Sequence, residues 1–176
     1  MRQGFGPAPW WLALAGLLLL PTCSSAPRWP GVHFAEVRGY VFNLSDDADV
    51  YLHHEAVVVD GHLDETVIDR EGVVLNDAQT TRLLGAIDPP ITSGMVYLSM
   101  IHTRHAFVFY DEQHRPVAWF AICFHCSQDL ADPEFAGFPD YDALRQLCVE
   151  LGLPVFDDEG KYAALQAQAP ESTIER

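Results

Sequence analysis

The chain has 176 residues, 49% of them apolar, with ten basic and 25 acidic side chains and a formal net charge of −15. That length suits a single domain with a real core, since a chain of this size buries roughly two-thirds of its unfolded surface. The composition excludes collagen-like, coiled-coil and wholly disordered chains, and nucleic acid is not expected as a partner, because phosphate needs clustered Lys and Arg and Lys161 is the only lysine.

Residues 1–25 read as an export signal. Arg2 supplies the positive start, residues 10–20 (WWLALAGLLLL) the apolar stretch, and Cys23, Ser24, Ser25 and Ala26 the small residues that signal peptidase requires. Eleven apolar residues are few for a hydrocarbon core of ~30 Å, so cleavage is expected rather than a retained membrane span. The expected location is the periplasm, the cell envelope or the extracellular space. Leu20-Pro21-Thr22-Cys23 resembles a bacterial lipobox, although Pro21 and Thr22 stand where small residues are usual. Cys23 is therefore the lipidation candidate, and a lipid anchor there is the one membrane contact expected. Asn43-Leu44-Ser45 is a glycosylation sequon, meaningful only in a eukaryotic secretory pathway.

Residues 26–35 read as a linker, 36–162 as one domain and 163–176 as a frayed or loosely helical tail. Strand-like runs occupy 36–44 and 55–63, with a shorter one at 66–68 before a turn at 69–72. The acidic stretch 45–49 lacks the turning Gly of a calcium loop and reads as a solvated turn. A first helix is predicted over 77–87, with Asn76 and Gln79 forming a capping box and Leu83, Leu84 and Ile87 its apolar stripe. A second runs over 141–151, capped by Asp140, with Tyr141, Leu144, Leu147, Cys148 and Leu151 at helical spacing and Gly152 and Pro154 as its stop. Cys148 on that stripe reads as a small core residue.

Between the helices lies a hairpin of residues 105–111 and 116–126, with His114 at the left-handed turn position. Its second strand points Ala118, Phe120, Ile122 and Phe124 one way and Val117, Trp119, Ala121 and Cys123 the other. Both sets are apolar, which predicts a central strand covered on both faces. The order strands, helix, hairpin, helix predicts an α+β fold: an antiparallel sheet of four or five strands with two helices on one side.

The chemistry-bearing residues gather at the open end of that hairpin. If the signal is cut after Cys23, Cys123, Cys126 and Cys148 remain, at least one of them unpaired within the chain, and an exported compartment can oxidise the other two. On a straight strand Cys123 and Cys126 would lie ~10 Å apart on opposite faces. They meet only if the strand turns near Phe124 and His125, for which Ser127-Gln128-Asp129 is suited. Pairing Asp111 with Arg115 puts Cys123 opposite Thr103 and Cys126 opposite Met100, to within one or two positions, which collects His102, His105, Cys123, His125 and Cys126.

Three readings stay open. The cysteines are a disulfide brace or core thiols beside solvated histidines. Alternatively, His102, His105, Cys123 and Cys126 form a tetrahedral set for zinc, with Met100 shifting the preference to copper. In the third reading, Cys123 and Cys126 are a redox pair. Residues 121–126 resemble the strand-end Cys-x-x-Cys of thioredoxin-like oxidoreductases, and 152–156 resemble their proline-containing segment. That resemblance implies a helix N-terminus at the pair, which Asp132-Pro133 interrupts.

A wider resemblance covers 102–126. Arg104-His105, Phe109-Tyr110-Asp111 and Ile122-Cys123-Phe124-His125-Cys126 are similar to an uncharacterised family of bacterial exported proteins and lipoproteins. Thr103 and Met100 replace that family's Pro and upstream Cys. The resemblance implies export and a shared hairpin but no activity. Asp60, His62, Asp64 and Glu65 imitate an acid–base set but read as a polar hairpin turn, and His53-His54 as a solvated pair. Phosphate-loop, nucleophile-elbow and His-Glu-x-x-His motifs do not occur. The sequence thus points to a non-catalytic envelope or secreted accessory or binding protein, with metal binding and thiol oxidoreduction as alternatives.

Overall fold

The computed structural model describes residues 29–47, 51–89, 101–158 and 160–167. The export signal with Cys23, the first linker residues, Met100 and the end of the tail lie outside the described residues. The elements are β1 (Glu36–Val41), β2 (Val58–Val59), β3 (His62–Leu63), β4 (Val73–Val74), α1 (Asp77–Ile87), β5 (His105–Tyr110), β6 (Pro116–Cys123), β7 (Gln128–Asp132), α2 (Tyr141–Glu150) and α3 (Gly160–Gln166). Five strands form one antiparallel sheet in the order β4-β1-β5-β6-β7, while β2 and β3 pair separately. The chain is an α+β protein, as its order of elements predicts.

Every residue of β5 is buried, because both faces of the sheet are covered. Phe107 and Phe109, with Ala118, Phe120 and Ile122 of β6, pack under Leu83, Ala86 and Ile87 of α1 and Leu144, Leu147 and Cys148 of α2. Ala106, Val108 and Tyr110, with Ala121, pack under Val57 and Val67 from the segment before β4. Each fully buried Phe or Leu contributes roughly 1.5–3 kcal/mol relative to exposure, so this two-sided packing makes β5 and β6 the rigid axis of the domain.

The helix signals hold in detail. Asn76 and Gln79 bond reciprocally to each other's backbone N–H groups at 2.9 and 3.0 Å. Asp140 accepts from Ala143 N–H at 2.9 Å, and its own N–H donates to Ala86 O at 2.8 Å, which joins the start of α2 to the end of α1. Gly152 takes a φ of 77° and ends α2, with Leu153 N–H returning to Cys148 O at 2.9 Å.

Elsewhere the structure corrects the sequence reading. Tyr110 pairs with Pro116 but Phe109 with Ala118, so Val117 is an extra residue in a β-bulge and packs against the helix-side core. The register beyond it moves on by one residue, which places Arg104, not Thr103, opposite Cys123. Run 36–44 leaves the ladder after Val41, and 55–63 forms two very short strands around Asp60-Gly61, whose φ values are 51° and 78°. Run 66–68 is not a strand; it meets the end of β1 through Ile68 N–H to Val41 O at 3.1 Å. The turn after β6 occupies 124–127, so Gln128 and Asp129 open β7 instead of forming a turn. His114 does take the left-handed conformation, at φ 58°. No helix among the described residues is long and apolar enough to cross a membrane.

Candidate functional site

Five segments converge at one end of the central sheet: the chain entering β5, the turn leaving β6, α2, the loop after it, and α3. Between them lies a pocket of about 250 Å³. His102, His105, Cys123 and His125 line it, so the hairpin does bring most of the sequence-derived cluster together. Cys126 joins through a disulfide to Cys123, with Cα atoms 5.5 Å apart, and its backbone N–H donates to Cys123 Sγ at 3.1 Å. The turn at 124–127 is what lets residues three apart meet.

His105 forms the deep wall. It is 1% exposed and donates from Nε2 to Pro154 O at 2.8 Å, which fixes the tautomer and leaves Nδ1 as a buried acceptor with no partner among the described residues. Burial pushes its pKa down to about 4; the bond to Pro154 opposes this, and the nearby Arg104 and Arg145 guanidinium groups add to it. His105 is therefore neutral at pH 7. His102 donates from Nε2 to Asn43 O at 3.1 Å, accepts from Arg104 Nη2 at 3.3 Å, and stacks on Tyr51 with ring centroids 4.0 Å apart. His125 is exposed at the rim.

The cations come from residues that the sequence did not single out as site groups. Arg104 is buried, lies 4.6 Å over the Tyr162 ring, and pairs with Asp46 at 2.9 Å. Arg145 reaches in from α2, 5.8 Å from the Phe124 ring, and pairs with Asp157 at 2.5 Å. Phe124, Phe156 and Tyr162 supply the apolar walls. Tyr162 OH accepts Phe156 N–H at 2.9 Å, and their rings meet at 4.9 Å, which docks α3 on the loop. Helical spacing could have flagged Arg145 as the polar edge of α2; nothing local marks Asp157 or Phe156.

The expected zinc or copper set is not assembled. Cys123 and Cys126 are bonded to each other, so neither offers a thiolate, and the acceptor nitrogen of His102 already faces the Arg104 guanidinium at 3.3 Å. Among the described residues no group of three or more His, Cys, Asp or Glu side chains is placed to hold a metal ion. Met100, the copper argument, lies outside the described residues. The thioredoxin-like resemblance implies a helix at the pair, and β7 stands there instead. Its proline segment does reach the same place, through the Pro154 carbonyl on His105.

Away from the pocket, Asp64 is 7% exposed and accepts from Thr66 Oγ1 at 2.5 Å and Thr66 N–H at 2.9 Å. His54 Nδ1 lies 2.9 Å from its other oxygen, so His54 is held by a buried carboxylate and is not part of a solvated pair. Asp60 and His62 do lie exposed at the small hairpin. The sequon amide of Asn43 is 1% exposed and donates to Tyr51 O at 3.1 Å, so the folded chain leaves no room for a glycan on it. Cys148 is fully buried as expected, and burial pushes its thiol up to about 12.

Comparison of the chain with protein-family models, with curated proteins and with solved structures gives no match.

Proposed function

We propose that this is an exported, non-catalytic binding protein whose working surface is the pocket at the disulfide end of the sheet. The observation that carries the reading is the convergence of five separate segments on one pocket whose polar walls are already held in place. His105 is tied to Pro154, Arg104 to Asp46 and Tyr162, and Cys123 to Cys126. Walls fixed in this way suit recognition, because little ordering cost remains when a ligand arrives. They suit acid–base or thiol chemistry less well, since burial holds the His105 pKa down at about 4, which makes it a weak base, and the thiols are bonded.

The test is an NMR fragment screen on the purified mature chain, with fragments of either charge and neutral ones. Amide shifts confined to residues lining the pocket support the reading. A screen in which no fragment of any charge moves those amides overturns it. Export is tested separately, by the intact mass of the protein recovered from its native compartment. A chain that still carries residues 1–25 would end that part of the proposal.

A further inference from the structure

Asp157 and Arg145 differ sharply in exposure, and the difference points to a ligand class. The Asp157 side chain is 96% exposed, whereas Arg145 is 33% exposed and faces the pocket from α2. An ion pair to so exposed a carboxylate adds little, because water screens it and the side chain gives up its freedom to hold it. Asp157 holds Arg145 through one contact, Nη2 to Oδ1, and a second carboxylate, delivered from inside the pocket, can displace it and offer both oxygens to the guanidinium fork. Arg104 is not the exchangeable cation, since it is buried and already engaged by Asp46, His102 and Tyr162.

Charge and size narrow the class. His105 stays neutral at pH 7, and Arg104 faces its own carboxylate. Once Asp157 swings out, Arg145 is the arginine of the pocket lining left without a carboxylate. This matches a monoanion better than a phosphate dianion, more so in a chain of net charge −15. Arg145 lies over the face of Phe124, and Phe156 lines the same pocket. The volume of about 250 Å³ lies just under the roughly 300–1,000 Å³ typical of pockets for drug-sized ligands, and it admits about one ring with a short arm.

Building on the pocket reading above, we infer that the site takes a monocarboxylate attached to an apolar or aromatic body, with Arg145 as its anion hold and Asp157 as the built-in competitor. Such a group occurs on small organic acids and at the C-terminus of a peptide ending in an apolar residue, and both carry the same chemistry.

The experiment is calorimetric titration of the mature chain with 3-phenylpropionate, its primary amide, phenethyl phosphate, and the peptide Gly-Gly-Phe as acid and as C-terminal amide. At least one acid should bind tenfold or more tightly than its own amide. Arg145→Gln should erase that difference, and Asp157→Asn should tighten the acid severalfold while leaving the amide unchanged. The last change is one that simple loss of fold cannot produce, and it stands even if Arg145→Gln unfolds. Preference for the free acid or for the peptide acid identifies the source, and either supports the inference. Equal binding of acid and amide, indifference to both substitutions, or tenfold tighter binding of the phosphate overturns it. If none of these probes binds but other fragments still move the pocket amides, the carboxylate assignment falls and the pocket reading survives. If no fragment binds at all, both fall.

Discussion

His105 at the start of β5 donates from Nε2 to the carbonyl of Pro154 at 2.8 Å, tying the central strand of the sheet to the loop that leaves α2. The bond spans 49 residues of sequence and closes the floor of the pocket. It holds only while the buried ring is in the tautomer with hydrogen on Nε2. Protonation would put a second hydrogen on Nδ1, a buried atom with no partner among the described residues.

A pH dependence of stability follows. The unfolded chain protonates this histidine near the ordinary value of ~6.5, the folded chain at about 4. Between those values the unfolded state binds more protons, so stability is complete above pH ~6.5 and is lost as pH falls toward 4. The loss attributable to His105 is about 3 kcal/mol, because each pH unit between those two values is worth ~1.36 kcal/mol. Urea unfolding at pH 7 and pH 4 should show His105→Gln losing that much less than the parent chain. Equal losses in the two proteins would remove His105 as the cause.

The disulfide is expected to act locally. Cys123 and Cys126 are three apart, so the bond closes a very short loop, and chain entropy assigns it only about 2 kcal/mol. Replacing both residues by Ala should lower stability by that amount while leaving the β5–β6 amide signals in place. The turn at 124–127, which carries Phe124 and His125 to the pocket rim, should broaden or shift. Collapse of the whole sheet signal in the double variant would give the pair a much larger structural share than this.

The β5–β6 hairpin and the first two helices were legible because each rests on a local rule: alternation of apolar residues, a capping box, a glycine stop. The clustering of His102, His105, Cys123 and His125 was legible as a consequence of the hairpin. The register was legible to within a position or two; the remaining one-residue shift comes from the bulge at Val117, since Pro116-Val117-Ala118 carries no signal that separates a bulge from regular pairing. β4 and β7 were missed for another reason. Val73–Val74 is too short to show a period, and Gln128–Asp132 is a largely polar edge strand that follows its partner β6. Arg145, Phe156, Asp157 and Tyr162 reach the pocket only through the docking of α2 and α3, which no short-range pattern encodes.

Cys148 should be chemically silent in the native state. It is fully buried on α2, and burial holds its thiol up near 12, so the reactive thiolate is scarce at pH 8. Iodoacetamide applied to the folded chain should leave the Cys148 peptide unlabelled, and the same reagent in urea without reductant should label it fully. Labelling in the native state on a timescale of minutes would mean that α2 opens far more often than its packing implies.

The sharpest test of the sheet's edge is Gly72, which precedes β4. Its φ of 61° is a left-handed conformation that favours glycine, and a Cβ there would run into the ring of Tyr40. Tyr40 cannot retreat freely, because it is buried and its hydroxyl lies 2.7 Å from that of Tyr110. Gly72→Ala therefore combines backbone strain of about 1–2 kcal/mol with displacement of a packed, hydrogen-bonded ring, for a total expected near 3 kcal/mol or more. The two parts separate in a double-mutant cycle. With Tyr40→Ala already in place the ring is gone, and adding Gly72→Ala should cost only the backbone part. An equal cost in both backgrounds would show that the contact with Tyr40 contributes nothing, and that β4 is held at the edge by backbone geometry alone.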